Sequence, residues 1–71
     1  MSEEFTDREL EIIRLLCLPN AEIGERLFIA PATVQTHIEN IRHKVDSTSR
    51  ASILIELIRA GIVNIDEVVT D

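Results

Sequence analysis

The stretch Pro31-Ala32-Thr33-Val34-Gln35-Thr36-His37-Ile38-Glu39-Asn40-Ile41-Arg42-His43-Lys44-Val45 decides how this chain folds. Val34, Ile38, Ile41 and Val45 recur at steps of four, three and four, which lines them up on one stripe of an α-helix. Gln35, Thr36, Glu39, Asn40, Arg42 and His43 make a polar outer face. Pro31 has no amide hydrogen to lose and a fixed φ, so it suits the first helical position. Asp46-Ser47-Thr48-Ser49 follows as a turn rich in capping residues. The pattern predicts one amphipathic helix over 31–45.

Upstream, Phe28-Ile29-Ala30 is a three-residue break. Before it the sequence predicts a short helix from near Asn20, with Ile23 and Leu27 on its inner face. Gly24 lies between them, where close approach of another helix requires a small residue. Pro19 pushes Leu18 out of the helical region and so stops an earlier helix. That first helix opens with a capping box, Thr6-Asp7-Arg8-Glu9, and Phe5 and Leu10 stand at the two ends of a hydrophobic staple. It is expected to bury Leu10, Ile13, Leu16 and Cys17, with Ile12 and Leu15 flanking.

Downstream, a fourth helix is predicted from about 49 to 60, ended by Gly61. Its polar face is narrow: Ser49, Ser52, Glu56 and Arg59. One apolar stripe holds Ile53, Leu54 and Leu57, and another holds Ala51, Ile55, Ile58 and Ile62. A helix with two apolar faces is buried on both. The expected second cover is another copy of the chain; the alternative is the C-terminal tail, through Val63, Ile65, Val68 or Val69. In the tail, Asn64-Ile65-Asp66-Glu67 either caps one more short turn or frays.

These readings give an all-α, four-helix domain in 71 residues, a single domain over 1–71 with its core in 5–63 and a tail over 64–71. The lone Cys17 excludes an intrachain disulfide, fits a reducing compartment and is expected in the core. No apolar run approaches the roughly 18–20 residues that cross a membrane. The acidic start Met1-Ser2-Glu3-Glu4 lacks the basic head of a signal peptide, so a cytoplasmic location is expected. With no Trp or Tyr, and only Phe5 and Phe28, the chain has little to stack on exposed bases, which argues against a single-strand or RNA-loop reader. The net charge is −6, unevenly spread: −4 over 1–31, +1 over 32–50 and −3 over 51–71. The middle is the one segment that is not acidic, and it holds both His37 and His43.

A short helix, a tight turn and a second helix with a polar face make a helix-turn-helix unit, whose second helix enters a DNA major groove. Many small helical domains contain such corners, and a plain four-helix bundle is the alternative. The residues themselves are more specific. Phe5-Thr6-Asp7-Arg8-Glu9-Leu10-Glu11, Ile12-Ile13-Arg14-Leu15-Leu16, Glu22-Ile23-Gly24-Glu25-Arg26-Leu27-Phe28-Ile29, the run from Thr33 through Val45, then Arg50, Ile53-Leu54 and Gly61-Ile62 are in register with one family. Over 5–63 the chain resembles the LuxR/FixJ-type DNA-binding domain, the GerE-like helix-turn-helix family. The resemblance implies a four-helix fold, sequence-specific binding to bacterial promoter double-stranded DNA, transcription regulation as a response regulator output domain, and dimerisation through the fourth helix. Such domains usually follow a sensor or phosphoacceptor domain; this chain is expected to be a standalone regulator or the DNA-binding part of a longer protein.

The chain departs from the family pattern in several places. Cys17-Leu18-Pro19-Asn20 is about two residues shorter than the usual loop and lacks its Gly. The usual Ser before the third helix is Ala30, which removes a cap worth about 1 kcal/mol. The usual Gly-Val after that helix is Asp46-Ser47, and Asp tolerates the left-handed conformation better than most residues. The usual Lys on the reading face is Gln35, and Glu39 stands where basic or polar residues are common. Gln can pair with adenine and Glu can accept from cytosine N4, so these replacements are compatible with a base code.

The candidate DNA-binding residues are therefore Thr33, Gln35, Thr36, His37, Glu39, Asn40, Arg42, His43, Lys44 and Arg50, and the candidate dimer interface is Ala51, Ile55, Ile58 and Ile62. Five of the DNA-binding candidates have a plainer alternative. Arg42 and Lys44 suit a solvated helix end beside the C-terminal dipole. His37 suits a packed structural histidine, Asn40 a bond to neighbouring backbone, and Arg50 a carboxylate or helix end. If His37 or His43 faces phosphate, DNA affinity is expected to rise from about pH 7.5 to about 6. His37 and His43 lie on different faces of one helix and make no zinc pair, and no Gly-rich phosphate loop exists, so no metal, cofactor or enzymatic role is expected. The competing reading is a protein-interaction module that keeps the fold, binds DNA weakly or not at all, and heterodimerises with a related regulator. It is motivated by the net charge of −6, Gln35 and Glu39.

Overall fold

The computed structural model describes residues 5–70; the acidic start and Asp71 lie outside them. Within that span lie four helices, α1 (Asp7–Arg14), α2 (Asn20–Leu27), α3 (Pro31–Val45) and α4 (Arg50–Arg59), then a 3-10 turn, Ile65–Glu67, with no strand among the described residues. The long α3 packs against α1, α2 and α4, so it is the element around which the others are placed. Its stripe is as the periodicity predicts: Val34 and Ile41 are fully buried and Ile38 nearly so, with Val45 packed at the margin.

The capping box forms. The Glu9 amide donates to Thr6 Oγ1 at 3.1 Å and the Thr6 amide donates to Glu9 Oε1 at 3.0 Å. Phe5 is buried and Leu10 packs against the core, as the staple requires. The end of α1 differs from expectation. The α-helix stops at Arg14, and i to i+3 bonds follow, Leu16 to Ile13 and Leu18 to Leu15. Tightening to three residues per turn rotates the later side chains relative to an α-helical stripe. Leu15, Leu16 and Leu18 turn inward and Cys17 outward, so Cys17 is exposed and not a core residue. Ile12, expected on the flank, is fully buried beside Ile13.

Gly24 is needed for a different neighbour from the one expected. A Cβ there would stand 2.5 Å from the Ile29 carbonyl oxygen, so the tight approach is by the turn and not by another helix. That turn is closed by the amides of Phe28 and Ile29, which both donate to the Gly24 carbonyl. Phe28 takes the left-handed conformation (φ 61°) to make it, with its ring in solvent. Ala30 supplies no side-chain cap to α3, and Pro31 takes the first helical position. Asp46 ends α3 in the left-handed region, again at φ 61°.

Ser49 caps α4 by accepting from the Ser52 amide at 3.0 Å, and Gly61 leaves it at φ 78°. The tail does not fray. Asn64 caps the 3-10 turn through the Asp66 amide, the Val69 amide donates to the Arg14 carbonyl at 2.9 Å, and Arg14 pairs with Glu67 at 3.1 Å. Val63 is buried, and Val68 and Val69 pack against the core. Ile65 remains exposed, as does Ile55 on α4 at 53%.

Candidate nucleic-acid interface

The turn between α2 and α3 sets the site by bringing the start of α2 beside the outer face of α3. On that face Thr33, Gln35, Thr36, Asn40 and His43 are exposed, while His37, Glu39 and Arg42 are half-buried. Thr36 turns its hydroxyl back to the Ala32 carbonyl, 3.2 Å away, the ordinary alternative for a mid-helix threonine.

Four polar side chains form one connected row. Asn20 Nδ2 donates to Gln35 Oε1 at 2.9 Å, and Gln35 Nε2 donates to Glu39 Oε2 at 2.8 Å. Arg42 Nη1 donates to Oε1 and Oε2 of Glu39 at 3.1 and 3.0 Å. Asn20 was not among the sequence candidates. It stands 15 residues from Gln35, and no local pattern relates the two.

The cations are committed within the protein. Lys44 reaches across to α1, where its Nζ meets Glu9 Oε1 at 2.7 Å and lies 5.5 Å from the Phe5 ring centroid. Glu9 is 5% exposed. Burial pushes its carboxyl up; the Lys44 hydrogen bond, the Thr6 amide and the nearby charges of Lys44 and His37 outweigh that and hold it below the usual carboxylate value. Arg50, at the start of α4, donates from Nη2 to the Leu18 carbonyl at 2.9 Å. Lys44 is thus held by a buried carboxylate and Arg50 by the loop between α1 and α2. Neither is a bare solvated cation, yet each spends only one donor.

At the C-terminal end of α3, Arg42, His43, Asp46, Ser47 and Thr48 line a shallow open depression of about 220 Å³. A second, mostly apolar hollow of about 250 Å³ is lined by Leu16, Cys17, Arg50, Ala51 and Leu54, beside the exposed stripe of α4. In that stripe Ala51 and Ile55 are exposed, and Ile58 and Ile62 are half-buried. Among the described residues no group of three or more His, Cys, Asp or Glu side chains is placed to hold a metal ion, and no helix is long and apolar enough to cross a membrane.

The family described as "Bacterial regulatory proteins, luxR family" matches residues 3–57. Similar proteins from Bacillus subtilis (strain 168) include the transcriptional regulatory protein LiaR, 45% identical over 64 residues, covering 87% of this chain and 30% of that protein. The uncharacterized transcriptional regulatory protein YxjL is 38% identical over 65 residues, 89% of this chain and 30% of that protein. The spore germination protein GerE is 38% identical over 58 residues, 79% of this chain and 78% of that protein. The chain therefore spans about 30% of the length of the first two and most of the third. No solved structure gives a significant match.

Proposed function

Because the chain belongs to the LuxR family of bacterial regulatory proteins, we propose that it is a transcription-regulator domain that binds double-stranded promoter DNA sequence-specifically, with α3 in the major groove and a second copy paired through α4. The observation that carries this reading is the division of α3 into two faces. Val34, Ile38 and Ile41 are 0–3% exposed, while Thr33, Gln35, Thr36, Asn40 and His43 are exposed to solvent. A helix is about 10–12 Å across and the major groove about 12 Å wide, so such a face fits it.

In this reading Gln35 and Glu39 meet base edges, with Thr33, Thr36, His37 and Asn40 beside them. His43, Lys44 and Arg50 face phosphate, and Arg42 stands beside them, held on the Glu39 carboxylate. Lys44 and Arg50 serve as anchored cations, each with donors left over. Ala51, Ile55, Ile58 and Ile62 form the seam between two copies, which would set two half-sites about 34–36 Å apart. A domain of this kind works on the nucleoid in the cytoplasm.

An amide NMR titration with a generic duplex, at low and then higher salt, tests the docking. Salt-sensitive shifts concentrated on residues 33–44 are expected, since phosphate contacts weaken as salt rises. Silence there, in a chain that still self-associates, would replace this reading with pairing to a related regulator through α4. A chain that sediments as a monomer at all concentrations would refute the α4 seam.

A further inference from the structure

The row on the outer face of α3 has a direction. An ionised carboxylate only accepts hydrogen bonds, so Glu39 draws the Gln35 nitrogen toward itself and leaves the Gln35 oxygen facing Asn20. Donation runs from Asn20 through Gln35 into Glu39, and from Arg42 into Glu39 on the other side. Capacity remains at each reading atom. Gln35 Nε2 keeps one hydrogen and Oε1 keeps one lone pair, while the carboxylate, with about four acceptor positions, has received three bonds. The side chain of Glu39 is 44% exposed, so the remaining position is open to a ligand.

We propose that Glu39 is the specificity-determining residue of this domain: its carboxylate accepts from the N4 amino group of a cytosine in the major groove, while Gln35, held in one orientation, reads a nearby adenine. The inference rests on α3 entering the groove, as set out above. Cytosine offers a donor there with no acceptor on the same base edge. Guanine presents N7 and O6, thymine presents O4, and adenine flanks its N6 donor with the N7 acceptor. A carboxylate therefore rejects three bases as well as selecting one. Arg42 is the positioning residue: its two contacts fix the carboxylate and offset its charge near the phosphates. Gln35 and Glu39 are one helical turn apart, about 6 Å along the axis. That spans less than two base-pair rises of about 3.4 Å. The adenine and the cytosine therefore fall within about two steps of each other.

The test is selection of the full chain on a random-sequence duplex library at low salt, with the wild type, Glu39→Ala and Glu39→Gln in parallel and circular dichroism to show that each is folded. The wild type is expected to enrich a cytosine at one fixed position by about tenfold over other bases. Glu39→Ala is expected to lose that preference while binding unrelated duplex more tightly. Its log-affinity against log-salt slope should steepen by about 0.9, because Arg42 is released to a phosphate. Glu39→Gln is expected to move the preference from cytosine to adenine. A wild type that binds duplex but enriches no cytosine overturns this inference alone, as does a cytosine preference that survives in both variants. A wild type that binds no duplex at low salt overturns it together with the DNA-binding reading.

Discussion

Replacing Lys44 with Ala would strand the most buried charge of the described residues. Glu9 is 5% exposed and Lys44 Nζ is its ionic partner at 2.7 Å. Removing one partner of a buried pair costs about 3–5 kcal/mol, and a surface pair is worth about 0–1 kcal/mol. The Lys44 side chain is 34% exposed, so water can partly replace it, and the expected loss lies between these, about 2 kcal/mol. For a domain of this size that lowers Tm by about 8–16 °C. Glu9→Gln removes the charge that needs a partner and keeps an acceptor for the capping box, so it is expected to cost about 1 kcal/mol, chiefly through the weakened contact with Lys44. The double variant should then be about 1 kcal/mol more stable than the two single losses added together. The pH dependence has a definite sign. Glu9 binds its proton less readily folded than at its ordinary value of 4.5, so the unfolded chain takes up more protons as acid is added. The stabilisation is complete above about pH 4.5 and fades as pH falls through the lower folded value, and this acid limb should be shallower in Lys44→Ala. Thermal melts followed by circular dichroism, at neutral pH and in an acid series, measure all of this. A drop under about 3 °C for Lys44→Ala, or strict additivity in the cycle, would refute the buried-pair account.

Phe28 sits in the left-handed region and is 91% exposed, so Phe28→Gly is expected to raise Tm by about 4 °C, the relieved strain exceeding the added flexibility of the unfolded chain. Gly24→Ala should destabilise by about 2 kcal/mol in urea titration, since its Cβ would meet the Ile29 carbonyl at 2.5 Å and the turn has to open. Ile55→Glu, at a residue 53% exposed, is expected to leave the melting of the single chain almost unchanged while reducing any self-association seen in sedimentation.

What the sequence shows of this fold is what repeats or caps locally. Thr6 with Glu9, Pro31 at the start of α3 and the stripe of Val34, Ile38 and Ile41 all lie within a few residues of the partners that explain them. Periodicity puts Cys17 in the core because it assumes a constant pitch, and the chain tightens after Arg14. Gly24 reads as a helix contact in the sequence because its neighbour, the Ile29 carbonyl, is backbone and leaves no mark on residue type. The site was legible as a polar helical face, but the links that organise it were not. Lys44 finds Glu9 35 residues away, Arg50 finds Leu18 32 residues away, and Gln35 finds Asn20 15 residues away. Such pairings depend on how helices pack, which is settled only when the whole core is assembled.

The bond from Arg50 to the Leu18 carbonyl has a consequence for which changes this chain can absorb. The acceptor is main chain, so no replacement at position 18 deletes it; the buried Leu18 side chain answers only to packing. Position 50 carries the whole of the donor's side of the contact, and a lysine there would bring a flexible point charge in place of a planar fork. The two ends of one bond therefore face unequal mutational freedom. Position 18 can drift among apolar residues of similar volume, while position 50 has little room to move without loosening the loop from α4.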